Sequence, residues 1–245
     1  EGRLLDASNT TLRGILTLDG VTARCVYKPV RGERPLWDFP DGTLAGREVA
    51  SWLLSEATGW KLVPPTVLRS GPLGSGMVQL WVDTEDERDL VDVVAVDAVP
   101  EGWRTVLRAQ DLHGNPALLV HADTEDMRRL AVLDVLLNNA DRKGGHVLAG
   151  LDGTVYGVDH GICLHRENKL RTVLWGFLGE PLPAAALEVL RRLEYELDGP
   201  LGAALTEHVT RAEVRAVRAR AKALLRTESF PAPNGHWPAI PWPAF

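Results

Sequence analysis

The stretch from Leu130 to His165 reads LAVLDVLLNNADRKGGHVLAGLDGTVYGVDHGICLH. A helical pattern runs into a tight polar loop, and a short hairpin then delivers Asp159-His160-Gly161. That order puts Asp141, His146 and Asp159 at the ends of neighbouring elements, where they can converge. Phosphoryl transfer calls for such a set. One carboxylate orients the attacking hydroxyl and takes its proton, another holds the metal that bridges the phosphates, and a cation offsets phosphate charge. Asp141, Asp159 and Lys28 have the side chains for these three roles. Glu48, on a helix that follows the Lys28 strand, can pair with Lys28 and hold it in place.

The elements that position these groups are readable from periodicity and punctuation. Three short strands are expected around Gly2–Leu5, Arg13–Leu18 and Ala23–Lys28, with Asp19-Gly20 as the hairpin turn between the last two. A charged, Gly- and Pro-containing loop covers Val30 to Gly42. A helix begins near Thr43, places Leu44, Val49, Trp52 and Leu53 on one face, and ends at Gly59. Prolines keep Val63–Thr66 extended. Val67–Arg69 and Met77–Val82 are the next strands, joined by a Gly-rich turn over Gly71–Gly76. Val91–Val99 and Ala117–His121 read as strands with a long polar connection between them. A helix follows, capped by Asp123 or Thr124, with Met127, Leu130, Leu133, Val135 and Leu136 as its apolar positions. Asp134 in that helix needs buried partners and reads as structural support for the loop. Val147–Ala149 and Val155–Val158 flank an Asp152-Gly153 turn. Pro183 to Glu228 is mainly helical, and the Pro- and Trp-containing stretch from Ser229 packs in extended form.

The order of strand lysine, helix glutamate, D-R-x-x-x-[N/H] loop and D-x-G turn resembles the phosphatidylinositol 3-/4-kinase superfamily, type II phosphatidylinositol 4-kinases and HipA-type kinases above all. It is also similar to a small actinobacterial family of unassigned function. The segment REVASWLLSEATGWKLVPPTVL is similar to the family's glutamate helix and following strand, NNADRKGGHVL to its catalytic loop, and VDHG to its metal turn. The match covers roughly residues 1–180, and its joint order carries more specificity than any one motif. The resemblance implies an α+β, two-lobed, protein-kinase-like fold, with a small β-rich N-lobe bearing one helix and a mostly helical C-lobe. The expected division is 1–82, 83–228 and a 229–245 tail. It implies that Lys28 contacts nucleotide phosphates with Glu48 as its ion-pair partner, and that the turn with Ser8 and Asn9 sits over the phosphates. Backbone groups near Trp81 and Val82 would face adenine. Asp141 would be the catalytic aspartate, Arg142 the brace of its loop, and Asp159 the main metal ligand. His146 stands where the family carries Asn. Imidazole suits manganese, iron or zinc better than magnesium, so His146 is compatible with a different metal, with a phosphate contact or with an impaired site.

Composition bounds the rest. The 245 residues are 45% hydrophobic and 24% charged with net charge −6, an ordinary globular balance. No basic stripe marks a nucleic-acid surface, and no run of about 20 apolar residues marks a membrane span. Two cysteines, Cys25 and Cys163, point to free thiols in a reducing compartment. With no apolar signal region after Glu1, the expected location is the cytoplasm. Alone, Lys28 and Glu48 are ordinary surface charges, Asp141-Arg142 a helix-end pair and Asp159 a turn residue. In kinase order they predict an ATP-dependent phosphotransferase using Mg2+ or Mn2+, its acceptor an alcohol on a protein Ser/Thr or small molecule ahead of a lipid. The alternatives are a nucleotide-binding pseudokinase acting as regulator, and a metal-dependent phosphohydrolase built on Asp141, His146, Asp159, His160 and His165.

Overall fold

Short strands punctuated by turns dominate the first third of the chain, and amphipathic helices the last third. The computed structural model describes residues 2–3, 9–85, 88–110 and 113–245. A five-stranded antiparallel sheet comes first, from β1 (Gly2–Arg3), β2 (Leu12–Leu18), β3 (Val21–Pro29), β4 (Thr66–Gly71) and β5 (Gly74–Leu80), in the order β1-β2-β3-β5-β4. The β2–β3 turn needs positive φ at both central residues, and Asp19 and Gly20 supply it at 50° and 81°. The first strand ends at Arg3, and Leu4 and Leu5 lie outside the described residues. β5 closes at Leu80, so Trp81 and Val82 follow the strand and are not part of it.

The helix α1 (Leu44–Thr58) crosses one face of this sheet. The Thr43 hydroxyl accepts from the Gly46 amide, and Gly59 closes the helix in the left-handed region at φ 77°. The expected apolar face was Leu44, Val49, Trp52 and Leu53. The structure instead buries Ala45, Ala50 and Leu54 together with Val49, and leaves Trp52 and Leu53 half-buried. α1 is covered on more than one side, so a single-stripe reading misjudges it. Arg47 shows this, buried on α1 and bonded to Glu213 and to the Cys163 carbonyl.

The remainder packs on α2 (Glu125–Leu137), whose Met127, Leu130, Leu133, Leu136 and Leu137 are fully buried. Of the helices that follow, α5 (Arg211–Thr227) packs on α2 and on α3 (Ala184–Glu196), while α4 (Pro200–Leu205) packs against α1 and α3. A three-stranded antiparallel sheet of β6 (Val91–Ala95), β7 (Trp103–Gln110) and β8 (Pro116–Ala122) runs in the order β6-β8-β7. β7 occupies what the sequence presented as a polar connection. A bulge between Thr105 and Leu107 breaks its two-residue period, and its apolar side chains are only half-buried, so no alternation stands out. The hairpin β9 (Val147–Ala149) and β10 (Val155–Gly157) follows the loop after α2. Both cysteines are buried free thiols. No helix among the described residues is long and apolar enough to cross a membrane. Leu133→Ala, at the centre of this core, should lower stability by about 2–5 kcal/mol, read as a shift of the denaturation midpoint with unchanged slope.

Candidate active site

Strand pairing decides where Lys28 points. It sits opposite Met77 in the β3–β5 ladder, on the face that α1 covers, while Cys25 and Tyr27 face the other way. From there its Nζ donates to Glu48 Oε1 and to Asp159 Oδ1, both at 2.7 Å. Glu48 is buried on α1, and its second oxygen accepts the His160 main-chain N–H at 2.9 Å. One lysine thus joins the sheet, the helix and the turn after β10. Burial alone would lower the Lys28 ammonium, but the charges of Asp159 and Glu48 outweigh it and raise its pKa. Burial raises Glu48, against the pull of Lys28. Lys28 holds Asp159 well below the usual carboxylate range. Asp159 itself sits at φ 59°, a left-handed backbone that Asp tolerates better than most residues.

The loop from Asp141 to His146 hangs on Arg142. This side chain is fully buried, and every guanidinium N–H is used. Nε and Nη2 donate to the Asp134 carboxylate at 2.9–3.2 Å. Nη1 donates to the carbonyls of His146 and Val158, both at 3.0 Å, and Nη2 also meets His160 Nε2 at 2.7 Å. Arg142 therefore braces the loop and touches nothing in the cleft. Asp134 also accepts from Asn139 and Thr172, and Asn139 Oδ1 accepts the Asp141 amide at 2.9 Å. The Asp141 carboxylate faces the cleft, its pKa raised by burial.

His146 closes the site. Its Nδ1 lies 3.0 Å from the Asp141 carbonyl. A carbonyl only accepts, so the proton is assigned to Nδ1 and Nε2 carries a lone pair. Burial lowers the imidazole to about 4, so it is neutral at physiological pH. Nε2 then faces Asp159 Oδ2 across 3.5 Å, two acceptors with no proton between them. A cation between them would relieve that, so this donor pair fits a divalent metal. No group of three metal-binding side chains occurs among the described residues. The remaining positions around such a metal would fall to substrate phosphate and water.

The cleft between these groups encloses about 60 Å³ and is lined by Lys28, Glu48, Asp141 and Asp159 together with Asn9, Thr10 and Glu33. Asn9 is thus in the cleft, with its Oδ1 held by the Arg34 amide at 2.9 Å. Ser8 lies outside the described residues. Trp81 and Val82 do not line this space. The Trp81 N–H is taken by the Arg24 carbonyl at 3.0 Å, and the Arg13 guanidinium stacks 4.5 Å from its ring. The Trp81 C=O and the Val82 N–H are left as the groups a base could use. His160 and His165 turn away, His160 onto Arg142 and His165 onto Phe39. Two residues beside these groups escaped the sequence reading. Lys143, two residues after Asp141, brings its Nζ to 3.9 Å from that carboxylate. Glu33 accepts the first amides of α1, Leu44 N and Ala45 N, at 3.0 and 2.8 Å. An acidic residue ahead of a helix start was the available signal for Glu33.

Asp134→Asn leaves a buried guanidinium without its counter-charge and should cost about 3–5 kcal/mol in denaturant unfolding. His146 should titrate near pH 4 by NMR in protein free of divalent cations. Its folded value lies below the unfolded one of about 6.5. Its contribution to stability is therefore complete above the unfolded value and is lost as pH falls from there toward 4.

No family model matches the chain. Its fold is that of a kinase: the crystal structure of the Golgi casein kinase superposes with a TM-score of 0.51 at 13% identity, over 92% of this chain and 71% of that one. A segment of 81 residues, 30% of this chain, is 32% identical to phosphatidylinositol 4-kinase gamma 4 of Arabidopsis thaliana, covering 14% of that protein. Protein Rv2133c of Mycobacterium tuberculosis is 53% identical over 100% of this chain and 91% of its own length. The chain belongs to the family of that mycobacterial protein.

Proposed function

We propose that this chain is an ATP-dependent phosphotransferase that delivers phosphate to an alcohol group. The observation that carries the reading is Lys28 Nζ held 2.7 Å from both Glu48 and Asp159. That contact joins residues 131 apart in sequence, and it is the arrangement phosphoryl transfer needs in a kinase-like fold. Lys28 stays charged and can meet nucleotide phosphates, with Glu48 fixing its direction. Asp141, in the same cleft and carrying a raised pKa, can orient an acceptor hydroxyl and receive its proton. Lys143 adds a second cation beside it. Asp159 and His146 would hold a magnesium or manganese ion, whose charge offsets that of the transferring phosphate. The Trp81 C=O and Val82 N–H are the groups we assign to the base, and the turn with Ser8 and Asn9 to the phosphates.

A protein Ser/Thr or a small molecule is a better acceptor than a lipid. Three of the basic side chains of α5 are engaged within the protein, Arg218 with Asp198, Arg220 with the Leu136 carbonyl and Lys222 with Glu194 at 3.3 Å. That leaves less free positive charge for an anionic membrane or nucleic acid. The second reading, nucleotide binding without turnover, is favoured by one observation, an imidazole at position 146 where the resembled family carries an oxygen ligand. A phosphohydrolase finds less support, because His160 and His165 point away from the cleft.

The test is turnover of radiolabelled ATP with magnesium and, separately, with manganese. Asp141→Asn should lower turnover by roughly 10²–10⁴-fold while nucleotide binding persists. Asp159→Asn should remove metal-dependent binding as well. Binding with no turnover in any metal and with any acceptor would select the regulator, and no nucleotide binding at all would end the kinase reading.

A further inference from the structure

The segment after α5 follows a defined path over the molecule. Phe230 exchanges main-chain bonds with Gly179 and Glu180 at 3.0 and 2.9 Å. Asn234 Nδ2 donates to the Asn168 carbonyl at 2.9 Å, and the Trp237 ring lies 4.3 Å from Lys169 Nζ. The Ala239 carbonyl accepts from the Thr172 amide at 3.1 Å and from Trp175 Nε1 at 2.8 Å. The path ends on the catalytic loop, where the Ala244 carbonyl accepts the Gly144 N–H at 2.8 Å. The Phe245 ring then lies over Gly144, so close that a Cβ there would come within 2.3 Å of it.

Gly144 and Gly145 follow Asp141-Arg142-Lys143 directly. Adjacent glycines give a loop its greatest backbone freedom, and here they sit between the cleft carboxylate and His146. Arg142 fixes the loop from inside, through the His146 carbonyl and Asp134. On the other side, the buried Gly144 N–H donates to the Ala244 carbonyl of the 229–245 segment. We propose that this segment is a clamp on the catalytic loop and that Phe245 is a positioning residue for Asp141. Its consequence for turnover rests on the phosphotransferase reading. The same segment bonds at Asn168, Thr172, Trp175 and Gly179, so it also holds the stretch after the Asp159 turn in register with the loop.

The test is a double-mutant cycle in the full chain, with Phe245→Ala, Gly144→Ala and the pair. Each is read by amide exchange over residues 141–146, nucleotide affinity and kcat. Phe245→Ala frees the loop, so exchange at Gly144 rises and kcat falls about tenfold or more, while nucleotide affinity is unchanged. Gly144→Ala expels the ring and does the same. The pair is no worse than either single change, because the vacated space accepts the new methyl. Phe245→Tyr keeps wild-type behaviour, and so does Trp242→Ala, whose side chain is 90% exposed in the same segment. The proposal is overturned if Phe245→Ala leaves exchange and kcat at wild-type values. It is equally overturned if affinity falls together with kcat, or if the two single effects add. Absence of turnover in the wild-type protein with any acceptor would count against the phosphotransferase reading alone. Exchange at residues 141–146 would then decide the clamp, supporting it if it rises in Phe245→Ala and ending it if it does not.

Discussion

The buried pair of Arg142 and Asp134 is the constraint on which the site depends. Both side chains are fully removed from water. Such a pair is stable only when the spare donors and acceptors are satisfied, and here the protein satisfies them with the groups it must position. The guanidinium takes the carbonyls of His146 and Val158 and the ring of His160. The carboxylate takes Asn139 and Thr172. One charge pair therefore sets the end of α2, the loop from Asp141 to His146 and the turn after β10 relative to each other. Asp141 and Asp159 inherit their positions from it.

Lys28 then adds the sheet to this frame. Its ammonium lies between two carboxylates and stays protonated because their charges outweigh burial. A nucleotide phosphate entering here would compete for the lysine with Asp159, whose side chain is half exposed, more readily than with the buried Glu48.

Local grammar was legible in the sequence, and distance was not. A helix start at Thr43, a cap at Asp123 or Thr124 (Thr124 in the structure), Gly59 as a helix stop and Asp19-Gly20 as a hairpin turn are all short-range signals, and the structure has each of them. The candidate site residues stood out because they fall in two short motifs, a strand and a helix that occur in the order of the resembled family. The Lys28–Glu48 pair was expected from their order, but Lys28–Asp159 and the buried Arg47–Glu213 pair join residues 131 and 166 apart and carry no local signal. β7 was missed because its bulge erases the period that betrays a strand. The buried face of α1 was misjudged because that helix is covered on several sides and includes a buried arginine. Lys143 was passed over because a lysine beside glycines carries no signal until its carboxylate neighbour is placed.

The attachment of α1 has a mechanical meaning. The helix lies on the sheet through Ala45, Val49 and Met77, a small apolar contact. Its polar bonds run the other way, from Arg47 to Glu213 and the Cys163 carbonyl, and from Glu48 to the His160 amide. By its bonds α1 is thus a member of the helical body, although in sequence it sits between strands of the sheet. The cleft encloses about 60 Å³, and small-molecule pockets typically need about 300 Å³ or more, so admitting a nucleotide requires widening. The seam between the sheet and α1 is lined by apolar side chains, but it is also crossed by the tie from Lys28 to the buried Glu48. Opening it fully would strand the Glu48 carboxylate, so the strands can swing only as far as Lys28 keeps that bond, and the half-exposed Asp159 is the contact that yields while the helix stays moored.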